Sequence, residues 1–180
     1  KLGDAIASPS IKQPGDLFAP WRPNSKGYRV NEPASILPLL AAREEFADTT
    51  WSAAPMIAGG GQPMGKLREV FSPADKTRLA GTVQEATSDE VAAAIEAAES
   101  GFREWSATPV AERANVLRRL ADLYEDNIAE LTSITTREAG KTVLDGIAEV
   151  REAVDFLRYY ANEAERLDAD EPGSPRGVFV

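Results

Sequence analysis

The sequence predicts an α/β chain, mostly helices with a few short strands, and three observations carry that expectation. Residues 51–86 break into short β-prone runs separated by glycine and proline turns. From residue 87 onward, apolar residues recur at helical spacing between clear start and stop signals. Residues 1–35 instead hold Pro9, Pro14, Pro20, Pro23 and Pro33 among polar residues and glycines, the composition of an extended arm. The division expected from these shifts is a Pro-rich linker or arm over 1–50 and a folded unit over 51–180.

In the arm, the tryptophan of "APWRPNS", Trp21, is able to pin the segment to a neighbouring surface. Ile36 to Phe46 is expected to form a short helix. The runs "WSAAPMIAGGG", "KLREVFSP" and "RLAGTVQEAT" are the strand candidates. Glycines 59–61 resemble a phosphate cradle only superficially. Gln62-Pro63 and another strand-like run follow them rather than a helix N-terminus, so they read as a turn.

Thr87 with Glu90 three places later forms a capping box, and Val91, Ile95, Ala98 and Phe102 follow on one helical face. Thr108-Pro109 reads as a second start, with Thr108 as N-cap and the proline at the first helical position. Val110, Ala114, Leu117, Ala121, Tyr124 and Ile128 then trace a single face, and Ile134 extends it toward Gly140. Gly140-Lys141-Thr142 has the ending of a phosphate-binding loop, but position 135, where that motif needs glycine, is Thr135. The triplet is better read as a helix stop at Gly140, a turn at Lys141 and a new N-cap at Thr142.

The helix after Thr142 has two faces. Val143, Ile147, Val150, Val154, Leu157 and Ala161 form an aliphatic stripe. Glu152, Phe156 and Tyr159 cluster well away from it, with Tyr160 at the border, so more than one side of this helix is expected to be covered. Glu152 is the carboxylate expected to sit partly buried among those rings, if any does; the alternative, which the residues alone favour, is a solvated glutamate with its stem on Phe156. Arg151 and Asp155 are spaced for a surface ion pair. Gly177 to Val180 is an apolar run of the kind that enters a buried strand, and the chain reads as a piece of a longer polypeptide, truncated at the start of a core strand.

Composition narrows the chemistry. The 180 residues are 43% hydrophobic, enough to build a core. They carry 29 acidic against 20 basic side chains, a net charge of −9, which disfavours nucleic-acid binding. There is no cysteine and no histidine. Thiolate or imidazole metal sites, a cysteine nucleophile and a Ser-His-Asp triad are therefore excluded from these residues. The longest apolar stretch, Ile36 to Ala42, carries a proline and is too short to span a bilayer.

The order of signals in "GTVQEATSDEVAAAIEAAESGFREWSATPVAERANVLRRLADLYEDNIAELTSITTREAGKT" resembles the N-terminal part of the aldehyde dehydrogenase superfamily. A G-x-V strand leads into a helix ending near Trp105, a second helix follows from Glu112 to Leu123, and an E-A-G-K-T turn closes the pattern. The flanks "EVREAVDFLRYYA", "WSAAP" and "LFAPWRPNSKGY" resemble the bacterial bifunctional proline utilization A enzymes, in which a proline dehydrogenase domain precedes a glutamate-semialdehyde (1-pyrroline-5-carboxylate) dehydrogenase domain.

The resemblance implies that the chain is the N-terminal fragment of an aldehyde-dehydrogenase-like fold, with 51–180 the first part of its NAD-binding domain. It implies an NAD-dependent parent that also carries FAD in its proline dehydrogenase domain, acts on a small-molecule substrate, packs against the rest of its own polypeptide and forms a homo-oligomer. A cytoplasmic location follows, with peripheral attachment of the parent at the inner membrane left open. In this family a cysteine thiolate attacks the aldehyde and hydride passes to nicotinamide. The cysteine, the general-base glutamate and the NAD-ribose ligands all lie later than these residues, so no catalytic, cofactor-binding or metal residue is assigned here. The one role carried over is that of Glu152, matched through "REAVDF" to a glutamate near the substrate's amino end. A non-catalytic helical docking module and a dehydrogenase of another semialdehyde, such as succinic semialdehyde, are the alternative readings.

Overall fold

A computed structural model describes residues 10–170 and 173–179. Pro9 and Val180 therefore lie outside the described residues. Element order is α1 (Pro33–Glu44), β1 (Trp51–Ala53), β2 (Leu67–Phe71), β3 (Leu79–Gln84), α2 (Ser88–Ala107), α3 (Val110–Asp126), α4 (Ile128–Ala139) and α5 (Val143–Asp170), with a single 3-10 turn at Pro14–Asp16 in the arm. All three strands fall within the runs picked out from sequence. They form one sheet in the order β1-β3-β2, with β1 parallel to β3 and β2 antiparallel to it.

Helix α1 begins three residues before the expected Ile36. Pro33 occupies its first turn, where a fixed φ and a missing N–H are harmless, and Leu39 on this helix is buried in the core. Glycines 59–61 do form a turn. The Gly60 N–H donates to Ile57 O at 2.9 Å, and Gly59 has φ +70°, a conformation that glycine adopts without steric penalty.

The capping box of α2 is present in both directions, Thr87 Oγ1 accepting from the Glu90 N–H and the Glu90 carboxylate accepting from the Thr87 N–H. The Thr108 expectation is corrected. Its hydroxyl donates back to Glu104 O at 3.1 Å, closing α2, and Pro109 takes the N-cap of α3. The Pro109 carbonyl accepts from the Glu112 and Arg113 amides, a role that needs no N–H of its own.

The apolar face traced from Val110 to Ile134 is real but does not lie on one helix. At Asn127 (φ −104°, ψ 20°) the chain breaks, and both the Asn127 N–H and Nδ2 donate to Leu123 O. That side chain satisfies the end of α3 by a competing local bond, which is how asparagine interrupts a helix. Gly140 is the stop expected of it, with φ +68° and its N–H donating to Thr136 O. Thr142 caps α5, accepting from the Asp145 N–H at 3.2 Å.

Helix α5 runs antiparallel to α3, as the pairs Arg118–Glu165 and Arg158–Glu125 require. Its aliphatic stripe is the spine of the core: Ile147, Val150 and Val154 bury against Ala121, Ile128 and Leu39, with Tyr28, Tyr124, Leu131 and Leu157 packed around them. Val154 is fully buried. Arg137 on α4 joins this layer to the sheet. Its guanidinium donates to Phe46 O, Thr49 O and Leu79 O and lies 5.0 Å from the Trp51 ring centroid. Helix α2, by contrast, has no buried residue, and Val91 and Ile95 stay exposed. Residues 177–179 form no strand; Val178 and Phe179 lie beside Pro55–Ile57 and α2, and Phe179 is wholly exposed. A strand needs a ladder partner, and the described residues give this run none.

Candidate functional site

The second face of α5 carries the site. Glu152, Asp155, Phe156 and Tyr159 stand at i, i+3, i+4 and i+7, so helical geometry alone puts them on one strip. They line a shallow groove whose remaining wall is Arg22, contributed by the arm. Glu152 is exposed, in line with the solvated reading, and makes no hydrogen bond or ion pair among the described residues. The aromatic strip is covered only in part. Phe156 stacks on Tyr160 with centroids 5.8 Å apart, and both remain about half exposed.

What covers the rest is the arm. Trp21 meets Tyr159 edge-on at 5.9 Å, and the Trp21 carbonyl accepts from Asn162 Nδ2 at 2.7 Å. The expected Arg151–Asp155 pair does not form; Asp155 turns to the arm instead. Its Oδ1 accepts from Arg22 Nη1 at 2.7 Å and from the Ser25 N–H at 3.0 Å, while Oδ2 accepts from Ser25 Oγ at 2.7 Å. Three donors, one of them charged, outcompete a single i,i+4 arginine. Next to it, Glu125 accepts from the Lys26 N–H and from both terminal nitrogens of the buried Arg158. Arg22 and Ser25 are the site residues missed by sequence reading, because they lie more than 100 positions from their partner and no local spacing marks them.

Lys141, in the turn before α5, donates to Glu149 at 2.5 Å, and that hydrogen bond chiefly holds its ammonium above the usual lysine range; Asp145 and Glu152 add to the effect. Its charge is committed to carboxylates, which disposes of the phosphate-loop reading. The N-terminus of α2 is equally closed to a phosphate. Its capping box takes the Thr87 and Glu90 N–H groups, Glu90 also accepts from the Met64 N–H, and Asp89 and Glu90 add negative charge. These residues therefore do not fit a dinucleotide. Among the described residues there is also no group of three or more acidic side chains placed to hold a metal. The sequence holds no cysteine to act as nucleophile.

The aldehyde dehydrogenase family model matches residues 61–178, well over half of the chain. The chain belongs to the aldehyde dehydrogenase family. It is 41% identical over 177 residues to the bifunctional protein PutA of Escherichia coli (strain K12), covering 97% of this chain and 13% of that protein. It is 32% identical over 123 residues to a 1-pyrroline-5-carboxylate dehydrogenase of Anoxybacillus flavithermus, covering 68% of this chain and 24% of that one. Among solved structures, proline utilization A from Bdellovibrio bacteriovorus inactivated by N-propargylglycine matches with a TM-score of 0.75 at 25% identity, over 82% of this chain and 16% of that one. A 1-pyrroline-5-carboxylate dehydrogenase mutant from Thermus thermophilus shares the fold with a TM-score of 0.74. The chain thus spans only a small part of the aldehyde dehydrogenase relatives it matches, and that part is a helical layer with a three-stranded sheet. No described helix is long and apolar enough to cross a membrane.

Proposed function

We propose that this chain is the interdomain arm (1–50) and first part of the NAD-binding domain (51–180) of a dehydrogenase that oxidises L-glutamate γ-semialdehyde to glutamate in proline catabolism. The parent would be cytoplasmic and homo-oligomeric, with an FAD-dependent proline dehydrogenase domain in the same polypeptide. The observation that carries the reading is the extent of the likeness to PutA: at 41% identity over 97% of the chain it takes in the arm as well as the folded unit. An α-ketoglutaric semialdehyde dehydrogenase of Bacillus subtilis is 35% identical, but over 59% of the chain. Family membership favours an enzyme over a docking module.

Within this reading the chain supplies no reacting group. Its contribution is Glu152, an exposed carboxylate that lines one groove with Phe156 and Tyr159. A carboxylate flanked by aromatic rings suits a substrate ammonium, through charge and through the negative ring faces. In the full-length enzyme, Glu152→Ala is expected to raise KM for glutamate semialdehyde about tenfold and to leave KM for a simple aliphatic aldehyde unchanged, both followed by NAD reduction. Equal shifts for the two substrates would remove Glu152 from the site.

A further inference from the structure

We propose that Arg22, on the arm, is a positioning residue for the Glu152 groove, so that docking of the arm onto α5 sets the affinity for the semialdehyde. The proposal rests on the reading of Glu152 given above.

Three observations support it. First, Arg22 and Asp155 belong to both structures at once: they line the groove with Glu152, Phe156 and Tyr159, and they form the ion pair that docks the arm. Second, the Arg22 side chain is held from several sides and only 10% exposed. Its Nη1 donates to Asp155 and to Pro23 O, and its Cζ lies 4.0 Å from the Phe18 ring centroid. A guanidinium fixed in this way is a wall rather than a mobile surface charge. Third, the pairing sorts the charges of the groove. Asp155 stands one turn from Glu152 and would otherwise present a second carboxylate. With Arg22 and Ser25 taking its oxygens, Glu152 is the carboxylate on that strip left without a hydrogen bond or ion pair, with only the more distant charge of Lys141 acting on it.

Loss of Arg22 therefore acts twice. The wall opposite Phe156 opens, and Asp155 keeps only its bonds from Ser25, so it becomes free to compete for the ammonium in the wrong place. The same substitution leaves the aldehyde-reacting machinery, which lies outside these residues, untouched. That predicts an effect on binding of the charged substrate without an effect on turnover.

The test uses the full-length enzyme with four variants: Arg22→Met, Arg22→Lys, Glu152→Ala and, as a control, Arg166→Met. Arg166 pairs with Glu163 and Asp170 further along the same helix and lines no part of the groove. Arg22→Met is expected to raise KM for glutamate semialdehyde about five- to tenfold, with kcat within about twofold and KM for propionaldehyde unchanged. Arg22→Lys should recover most of the loss, because it restores the charge on Asp155. Arg166→Met should move neither KM. Equal KM shifts for both aldehydes, or the same pattern from Arg166→Met, overturns the proposal. Should Arg22→Met not yield folded enzyme, Ser25→Ala deletes one hydroxyl bond to Asp155 and is expected to give the same selectivity at about twofold; no selectivity there overturns it equally. A selective Glu152→Ala with an unselective Arg22→Met removes the role of Arg22 alone, whereas an unselective Glu152→Ala removes the reading of the groove.

Discussion

The two faces of α5 are held in place by different physics. On one, Ile147, Val150, Val154 and Ala161 are buried against α1, α3 and α4, with no charge except the paired Arg158 at the edge. On the other, Asp155 and Asn162 hold the arm by hydrogen bonds and one ion pair, while Phe156 and Tyr160 remain half in water. The aliphatic face draws on area removed from water, which is non-directional and survives small shifts of its neighbours. The polar face depends on a few directional bonds between groups that are partly solvated, each worth only about 1 kcal/mol net. The first face should therefore fix the fold, and the second should regulate only how a short segment lies upon it.

Three substitutions can break or sharpen this contrast. The largest effect is expected from Val154→Asp, which sets a carboxylate with no partner at a fully buried position. A loss of more than about 4 kcal/mol is expected, read as collapse of amide protection throughout α3 and α5 in the intact polypeptide. Tolerance of this change would mean that the core is organised elsewhere.

A smaller and local effect is expected from Asp155→Asn. The Ser25 amide donates to Asp155 and the Lys26 amide to the adjacent Glu125, so both report on docking of the arm. Their hydrogen exchange should accelerate about tenfold, while α3 and α5 lose about 1 kcal/mol or less. If protection in the helices falls with that of the arm, the two faces are one cooperative unit and the contrast fails.

The smallest effect concerns pH. Hydrogen bonds from Arg118, aided by its charge, hold the Glu165 carboxyl below the usual glutamate range. Between the folded and unfolded pKa the folded chain binds fewer protons, so stability rises with pH there. The contribution is complete above the unfolded glutamate pKa and is lost as pH falls through the depressed folded value. Denaturant midpoints measured down through the carboxylate range should fall less steeply in Arg118→Met than in the parent. An unchanged slope would show that this half-exposed pair is spent entirely on solvent.

Much of the architecture was legible because its causes are local. The box at Thr87 and Glu90, the left-handed stop at Gly140 and the cap at Thr142 depend on groups within six positions of one another, and each is found where the sequence put it. The stripe from Val143 to Ala161 was legible for a related reason: helical periodicity decides which residues share a face before any partner is known. Local rules also erred where two local bonds compete. Thr108 closes one helix rather than opening the next, and Asn127 divides a face that periodicity alone reads as continuous.

The candidate groove was legible by half. Glu152, Phe156 and Tyr159 follow from spacing on one helix, whereas its other wall comes from a residue 133 positions away from Asp155. An i,i+4 rule gave Asp155 to Arg151, and in an isolated helix that rule would have held. The folded chain offers Asp155 a better-placed guanidinium and two donors from Ser25, and the carboxylate goes to the stronger set.

By itself, then, the sequence determined most of the points where helices start and stop, which face of α5 is apolar, and that no cysteine or imidazole is present, since these depend on neighbours along the chain or on composition. Only the tertiary structure decided which partner each charge takes and what covers the aromatic strip. Those outcomes are competitions in space, settled by how many donors reach one carboxylate and how far water is excluded from it, and spacing along the chain records neither.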